Sequence, residues 1–251
     1  MPTPTLDLLN LEFCGFDLET TGVNPLEDRI VTANITVVNH AEGLVKPTNW
    51  LDNPGIPIPD EAAKIHGITN MMAQAQGREH GEVVKEISQE LTTAWSKGQA
   101  VVAFNAAFDL TIMSVQSGGH FTVGGLVIDP LVIDKALNRR RGSRKLMDVA
   151  RFYGLSVDDA DAHTADFDAL VAVRLAWKMM RLYANELPKT VDGLMDFQRQ
   201  AKQEQFYNLK NYLESVGKEI NGDAGWPVCE GTVQRAQEMS WGTNPQESLN
   251  I

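Results

Sequence analysis

Cysteine is scarce in this chain: Cys14 and Cys229 are the only two, and they lie far apart. That excludes a disulfide framework and a cysteine zinc site, and it points to a reducing, cytoplasmic compartment. No apolar run is long enough to cross a bilayer, so the chain reads as soluble and globular with no membrane partner. Met1-Pro2-Thr3-Pro4-Thr5 lacks the basic stretch and apolar core of a secretory signal. Internal repeats and low-complexity tracts are absent too. Positive charge is also short, with 22 Lys and Arg against 33 Asp and Glu, a net −11. Such a balance argues against a nucleic-acid partner. The objection weakens if several acids ligate metal, because bound divalent ions reverse the local field. A local exception is the cluster Arg139, Arg140, Arg141, Arg144 and Lys145, readable as a solvated loop or as a phosphate-binding patch.

What is present suffices for one ordinary domain plus an extension: 251 residues, 43% of them hydrophobic. An apolar strand leads into Phe16-Asp17-Leu18-Glu19-Thr20-Thr21-Gly22. Residues 29–38 are β-branched and read as a second strand, and Leu44 to Thr48 as a third. Asp60 caps a short helix through Ile65. Glu82 to Lys97 repeats Val83, Val84, Ile87, Leu91, Ala94 and Trp95 at helical spacing and stops at Gly98. Ala100 to Phe104 reads as a buried strand, residues 106–116 as a helix, and Leu126 to Ile128 as a strand ended by Pro130. Helices are expected over about 130–138, 145–153 and 166–186. A strand meander followed by alternating strand and helix indicates a mixed α/β sheet with helices on both faces. The division expected is a main α/β domain over 1–186, then a helical extension and loosely packed tail over 187–251.

Two carboxylates on one strand, two residues apart, share a face of the sheet. Asp17 and Glu19 would repel each other unless one holds a proton or a cation lies between them, and oxygen ligands suit a hard divalent ion. Asp109 follows the fourth strand in Asn105-Ala106-Ala107-Phe108-Asp109, at the sheet edge where functional groups collect. His163 and Asp168 stand in His163-Thr164-Ala165-Asp166-Phe167-Asp168, around a helix start. Four acids converging on two cations roughly 3.5–4 Å apart make the arrangement a two-metal phosphodiesterase needs. The attacking water also needs a base titrating near neutrality, and histidine is the natural candidate.

Together with His66-Gly67-Ile68-Thr69, these motifs resemble the DnaQ-like 3′–5′ exonucleases of the DEDD type with histidine. That family includes bacterial DNA polymerase III proofreading subunits, and the resemblance covers roughly residues 10–185. It implies a ribonuclease H-like fold, a five-stranded mixed sheet with one antiparallel strand, followed here by a helical C-terminal extension. It implies two divalent ions, Mg²⁺ or Mn²⁺, with Asp17 shared by both, Glu19 and Asp168 completing one shell, and Asp109 supporting the other. His163 would be the general base. Thr20 would meet the 3′-terminal nucleotide, and His66, Asn105 and Phe108 would line its pocket. Many proofreading subunits carry histidine at the position of Phe104, which puts the subfamily in doubt and not the chemistry.

Several residues keep a second reading. Asp166 rivals Asp168, and family spacing selects Asp168. His66 could instead bond carbonyls at a helix terminus. Arg140, Arg141 and Arg144 are assigned to backbone phosphates beyond the scissile bond. The activity expected is removal of mononucleotides from a DNA 3′ end, single-stranded or frayed. RNA is the alternative substrate, and an inactive binding subunit is a further alternative that the complete acid–histidine set disfavours. Any polymerase would be met in trans. Gln246-Glu247-Ser248-Leu249-Asn250-Ile251 resembles a sliding-clamp-binding peptide.

Overall fold

The computed structural model describes residues 5–39, 44–157, 164–220 and 222–242. The sheet is built on β1 (Phe13–Thr20), β2 (Ile30–Asn39) and β3 (Leu44–Asn53). After α1 (Asp60–His66) and α2 (Asn70–Gln76), the two-residue β4 (Arg78–Glu79) joins the edge, and α3 (His80–Ser96) follows. Next come β5 (Ala100–Val102), α4 (Ala106–Gln116), β6 (Val127–Ile128), α5 (Pro130–Leu137), α6 (Leu146–Phe152) and α7 (Ala165–Leu182). The last described elements are α8 (Val191–Ser215) and α9 (Glu230–Gly242). Strand order is β4-β3-β2-β1-β5-β6, with β2 antiparallel to both neighbours and every other pair parallel. One strand therefore runs against the rest, as the resemblance implies. The strand beyond the expected five is β4, Arg78–Glu79, which carries no apolar alternation that could have announced it.

Alternation along β1 divides its side chains between two cores. Cys14, Phe16 and Leu18 join Ile87 and Leu91 of α3 and Leu110 and Met113 of α4 on one face. Phe13 joins Leu175 and Met179 of α7 and Ile133 of α5 on the other. Gly15, Asp17 and Glu19 share the second face with Phe13 by the period of two. Helix α7 lies very close to β1 there: a Cβ on Gly15 would sit 2.8 Å from both the Ala169 carbonyl oxygen and Val173 Cγ2. The small residues Ala165, Ala169, Ala172 and Ala176, all buried, permit that approach.

Helix α3 buries all six of its expected apolar positions, and the Glu79 side chain caps it by accepting from the Gly81 and Glu82 amides. Helix α2 was not anticipated, because only Ala73 is buried in it. Strand β3 runs five residues past its expected end and contains Pro47, which an edge position tolerates.

The extension differs most from expectation. Leu187 and Leu194 are buried in the second core and Gln198 is buried beside Leu194, while Trp226, Val228 and Val233 enter the first. As far as Val233 the tail is thus packed, not loose. Its few apolar anchors are hidden among Gly, Asn and Gln. Helix α8 is buried on a narrow face only: Leu194 and Gln198 are buried, while Leu209 and Tyr212 are exposed. Among the described residues no helix is long and apolar enough to cross a membrane.

Candidate active site

Carboxylate oxygens of Asp17, Glu19 and Asp168 all lie within 4.8 Å of one another. Asp17 and Glu19 come from one face of β1, and Asp168 comes from the first turn of the helix that crosses that face. Asp109, 5% exposed, arrives from α4 and accepts the Leu18 amide on Oδ1 at 3.2 Å. Leu18 lies between the two β1 carboxylates, so all four acids meet at one end of the strand. Asp166 is exposed, whereas Asp168 is the one of the two that reaches Asp17 and Glu19.

The electrostatics are those of crowded anions. Burial, then the charges of Asp109, Asp168 and Glu19, hold Asp17 well above the usual carboxylate range. Burial and then the Asp168 charge push Glu19 up to about 7. Burial also raises Asp109, with the Asp129 and Glu19 charges adding to it, against backbone hydrogen bonds that include the Leu18 amide. Such a set is stable at neutral pH only with protons or cations among the oxygens. All the donors are hard oxygens, the preference of Mg²⁺ and Mn²⁺. The residues fit a divalent metal site.

Beside it, β1 ends in a tight turn. Thr20 Oγ1 donates to the Gly22 carbonyl at 2.6 Å, and Thr21 Oγ1 donates to Asp28. A Cβ on Gly22 would lie 2.5 Å from Asp28 Oδ2, so glycine is what lets that carboxylate close the turn. His66 is buried at the end of α1, where its Nδ1 accepts the Ile68 amide at 3.2 Å. The ring proton is therefore assigned to Nε2. Burial lowers the His66 pKa, and the Thr20 backbone partly opposes this. Its Nδ1 is thus not engaged with the last carbonyls of α1. Asn105 is the one non-glycine with positive φ (69°) among the described residues, and Phe108 is half-buried against the first core.

Residues 14–176 match the sequence profile of the family described as Exonuclease, of the RNase T type. The chain belongs to that family. It is 28% identical over 181 residues to the DNA polymerase III subunit epsilon of Treponema pallidum, covering 70% of this chain and 80% of that one. It is 26% identical over 178 residues to the PolC-type DNA polymerase III of Listeria welshimeri. That alignment covers 70% of this chain but only 12% of the far longer relative. Among solved structures, an Exonuclease I superposes with TM-score 0.59 at 18% identity, over 70% of this chain and 43% of that one. An Exonuclease X bound to 5′-overhanging duplex DNA gives 0.53 at 20%, over 75% and 99%. Both likenesses concern the fold.

In this chain the basic cluster is divided. Arg144 is paired with the fully buried Asp134 and also donates to the Asn138 and Arg140 carbonyls. Arg140 lies 3.6 Å from the same carboxylate, donates to the Ser143 carbonyl and stacks on Phe152 at 4.6 Å. Tyr153 donates to the other Asp134 oxygen at 3.0 Å. Arg140 and Arg144 are therefore turned inward to neutralise a buried acid, and the phosphate assignment does not hold for them. Arg139, Arg141 and Lys145 remain exposed.

His163 and the peptide Gln246–Ile251 lie outside the described residues. One residue near the site escaped the sequence reading altogether. Asp129, fully buried, accepts the backbone amides of Asn105 and Ala106. Its place as an acid directly before a proline that opens a helix was the available signal.

Proposed function

We propose that this exonuclease removes nucleoside 5′-monophosphates from the 3′ end of DNA, single-stranded or frayed, by metal-assisted phosphodiester hydrolysis. The observation that carries this reading is the meeting of Asp17, Glu19 and Asp168 within 4.8 Å, with Asp109 tied to the amide between the first two. When bound there, two divalent ions, Mg²⁺ or Mn²⁺, supply positive charge that acidifies water and stabilises the leaving oxygen.

The chain's own groups do the rest. Asp17 is the central carboxylate, with Glu19 and Asp168 on one side and Asp109 on the other. His163 takes the proton of the attacking water, a task suited to a group titrating near neutrality. The water oxygen bonds to the terminal phosphorus, the bond from phosphorus to the 3′ oxygen of the preceding nucleotide breaks, and that oxygen takes a proton from solvent as it leaves. Thr20 meets the terminal nucleotide through its backbone, and His66, Asn105 and Phe108 form the walls of its pocket. Arg141, exposed beside Arg139 and Lys145, is the member of the original basic trio still available for upstream phosphates.

The test is degradation of 5′-labelled DNA and RNA oligonucleotides side by side, with Mg²⁺, Mn²⁺ or EDTA. The expected result is a ladder shortening from the 3′ end of DNA, abolished by EDTA. Faster loss of RNA would transfer the reading to an exoribonuclease. No loss of either would make the chain a binding subunit.

A further inference from the structure

We propose that the C-terminal extension is a working part of the active site: Gln198 and Trp226 are positioning residues that fix the buried Asp129, which holds the Asn105 turn and so aims Asp109 at the β1 carboxylates. The inference rests on the reading of Asp109 as a site carboxylate.

Asp129 is a junction between three segments. Its Oδ1 accepts the Asn105 amide at 3.1 Å and the Leu131 and Val132 amides at 3.0 and 3.3 Å. Its Oδ2 accepts the Ala106 amide at 3.0 Å and the Trp226 indole N–H at 3.4 Å. The Asp129 amide donates to Gln198 Oε1 at 2.7 Å. Gln198, itself fully buried, is fixed by donating Nε2 to the carbonyls of Val127 and Leu194 at 2.9 and 3.2 Å. From the next turn of α8, Lys202 Nζ lies 3.4 Å from Asn105 Oδ1. Gln198, Lys202 and Trp226 all fall beyond the 14–176 family match.

The turn needs such support. Left-handed backbone is unfavourable at a non-glycine residue, less so at asparagine than at most, and such a conformation persists where its surroundings over-determine it. Asn105 is that residue, and its side chain does not cap α4, so backbone bonds to Asp129 hold the helix start. Asp109 stands in the first turn of α4. A shift there of about 1 Å is enough to misalign a reacting group. Asp129 is buried, so each polar partner it loses leaves an unpaired group in a dry environment.

The experiment compares full-length Gln198→Met, Asp129→Asn and Trp226→Phe with Val233→Ala. Val233 is buried in the same extension and takes no part in these bonds. Three quantities are read: Mn²⁺ affinity by calorimetry without nucleic acid, turnover on labelled oligonucleotide, and melting temperature in EDTA. Gln198→Met and Asp129→Asn are expected to fold and to lose roughly tenfold or more in Mn²⁺ affinity and in kcat, as partners of metal ligands do. Trp226→Phe, which keeps a packed ring, should lose less in the same direction. Val233→Ala should stay within about twofold on both readings while losing melting temperature, the behaviour of a packing residue. Wild-type affinity and turnover in folded Gln198→Met and Asp129→Asn would overturn the proposal, as would equal losses in Val233→Ala or no Mn²⁺ binding by the wild type. If one variant does not fold, the other decides by the same criteria. If the wild type degrades neither DNA nor RNA, the proposed function fails, and the Mn²⁺ comparison alone decides this inference.

Discussion

The Leu18 amide donates to Asp109 Oδ1 at 3.2 Å across 91 positions of sequence, and Leu18 is the residue between Asp17 and Glu19. A helix that packs on one face of the sheet thereby delivers its acid to a strand whose two acids point to the other face. The same hydrogen bond that orders Asp109 leaves Asp17 with acidic neighbours in Asp109, Asp168 and Glu19, the repulsion a cation relieves.

Removing Asp17 should therefore separate activity from stability. Asp17→Ala is expected to lose hydrolysis to background and to melt, in EDTA, at the same temperature as wild type or slightly higher. Repulsion and burial of that carboxyl both oppose the metal-free fold. A folded mutant that keeps more than a small fraction of the wild-type rate refutes the central role given to Asp17.

Titration should show the same repulsion. Glu19 has a folded pKa of about 7, above its ordinary 4.5. A group raised on folding adds stability below its unfolded pKa, and that stability is lost as pH rises through the folded value. In EDTA the melting temperature should accordingly fall between about pH 4.5 and 7, less steeply in Glu19→Gln. Divalent affinity should rise over the same window, because the ligands must lose protons to bind. A mutant whose pH profile matches wild type would show that Glu19 carries none of this dependence.

The arginines divide into two outcomes. Arg144→Ala leaves the fully buried Asp134 short of its closest cation. Breaking a buried pair from one side costs about 3–5 kcal/mol, although Arg140 and Tyr153 remain to soften the loss. Arg141→Ala should change stability by no more than about 0.5 kcal/mol while lowering the salt slope of nucleic-acid binding by about 1. Denaturant unfolding and binding over a salt series check the pair. A stable Arg144→Ala with a reduced salt slope would return that residue to phosphate binding.

These cases mark where the sequence was legible. Asp17 and Glu19 could be placed on one face because a strand's period of two is local, and the apolar stripe of α3 was readable for the same kind of reason. The resemblance selected Asp168 over Asp166, and packing explains the choice: the first meets β1 and the second faces solvent. The inward turn of Arg140 and Arg144 was invisible, since nothing in a run of basic residues reports a buried acid one helix earlier. Asp129 was missed because its partners, Asn105, Gln198 and Trp226, are distant in sequence and meet only in three dimensions. The tail was misjudged on composition, which averages Trp226, Val228 and Val233 into their polar surroundings.

His163→Ala should lower turnover by roughly 10²–10⁴, the cost of losing a general base. Mn²⁺ affinity without nucleic acid should remain near that of wild type. Loss of metal binding in the mutant would make His163 a ligand and require the proton path to be redrawn.

Gly15 provides the most direct test of how packing builds the site. It lies two residues before Asp17 on the face crossed by α7, and an added Cβ would sit 2.8 Å from both the Ala169 carbonyl oxygen and Val173 Cγ2. A carbonyl oxygen in a helix backbone cannot rotate aside, so Gly15→Ala must move α7 away from β1. Overpacking of this kind costs about 1–3 kcal/mol. Asp168 immediately precedes Ala169, so the same displacement draws its carboxylate away from Asp17 and Glu19. Activity should consequently fall much further than stability, by about 10²-fold if the shift approaches 1 Å. Mn²⁺ affinity should fall with it. Cys14→Ala, facing the opposite core, serves as the comparison: it leaves a small cavity and lowers the melting temperature without touching the α7 contact. A Gly15→Ala protein that loses stability but keeps wild-type turnover and metal affinity would show that the α7–β1 spacing does not set the position of Asp168.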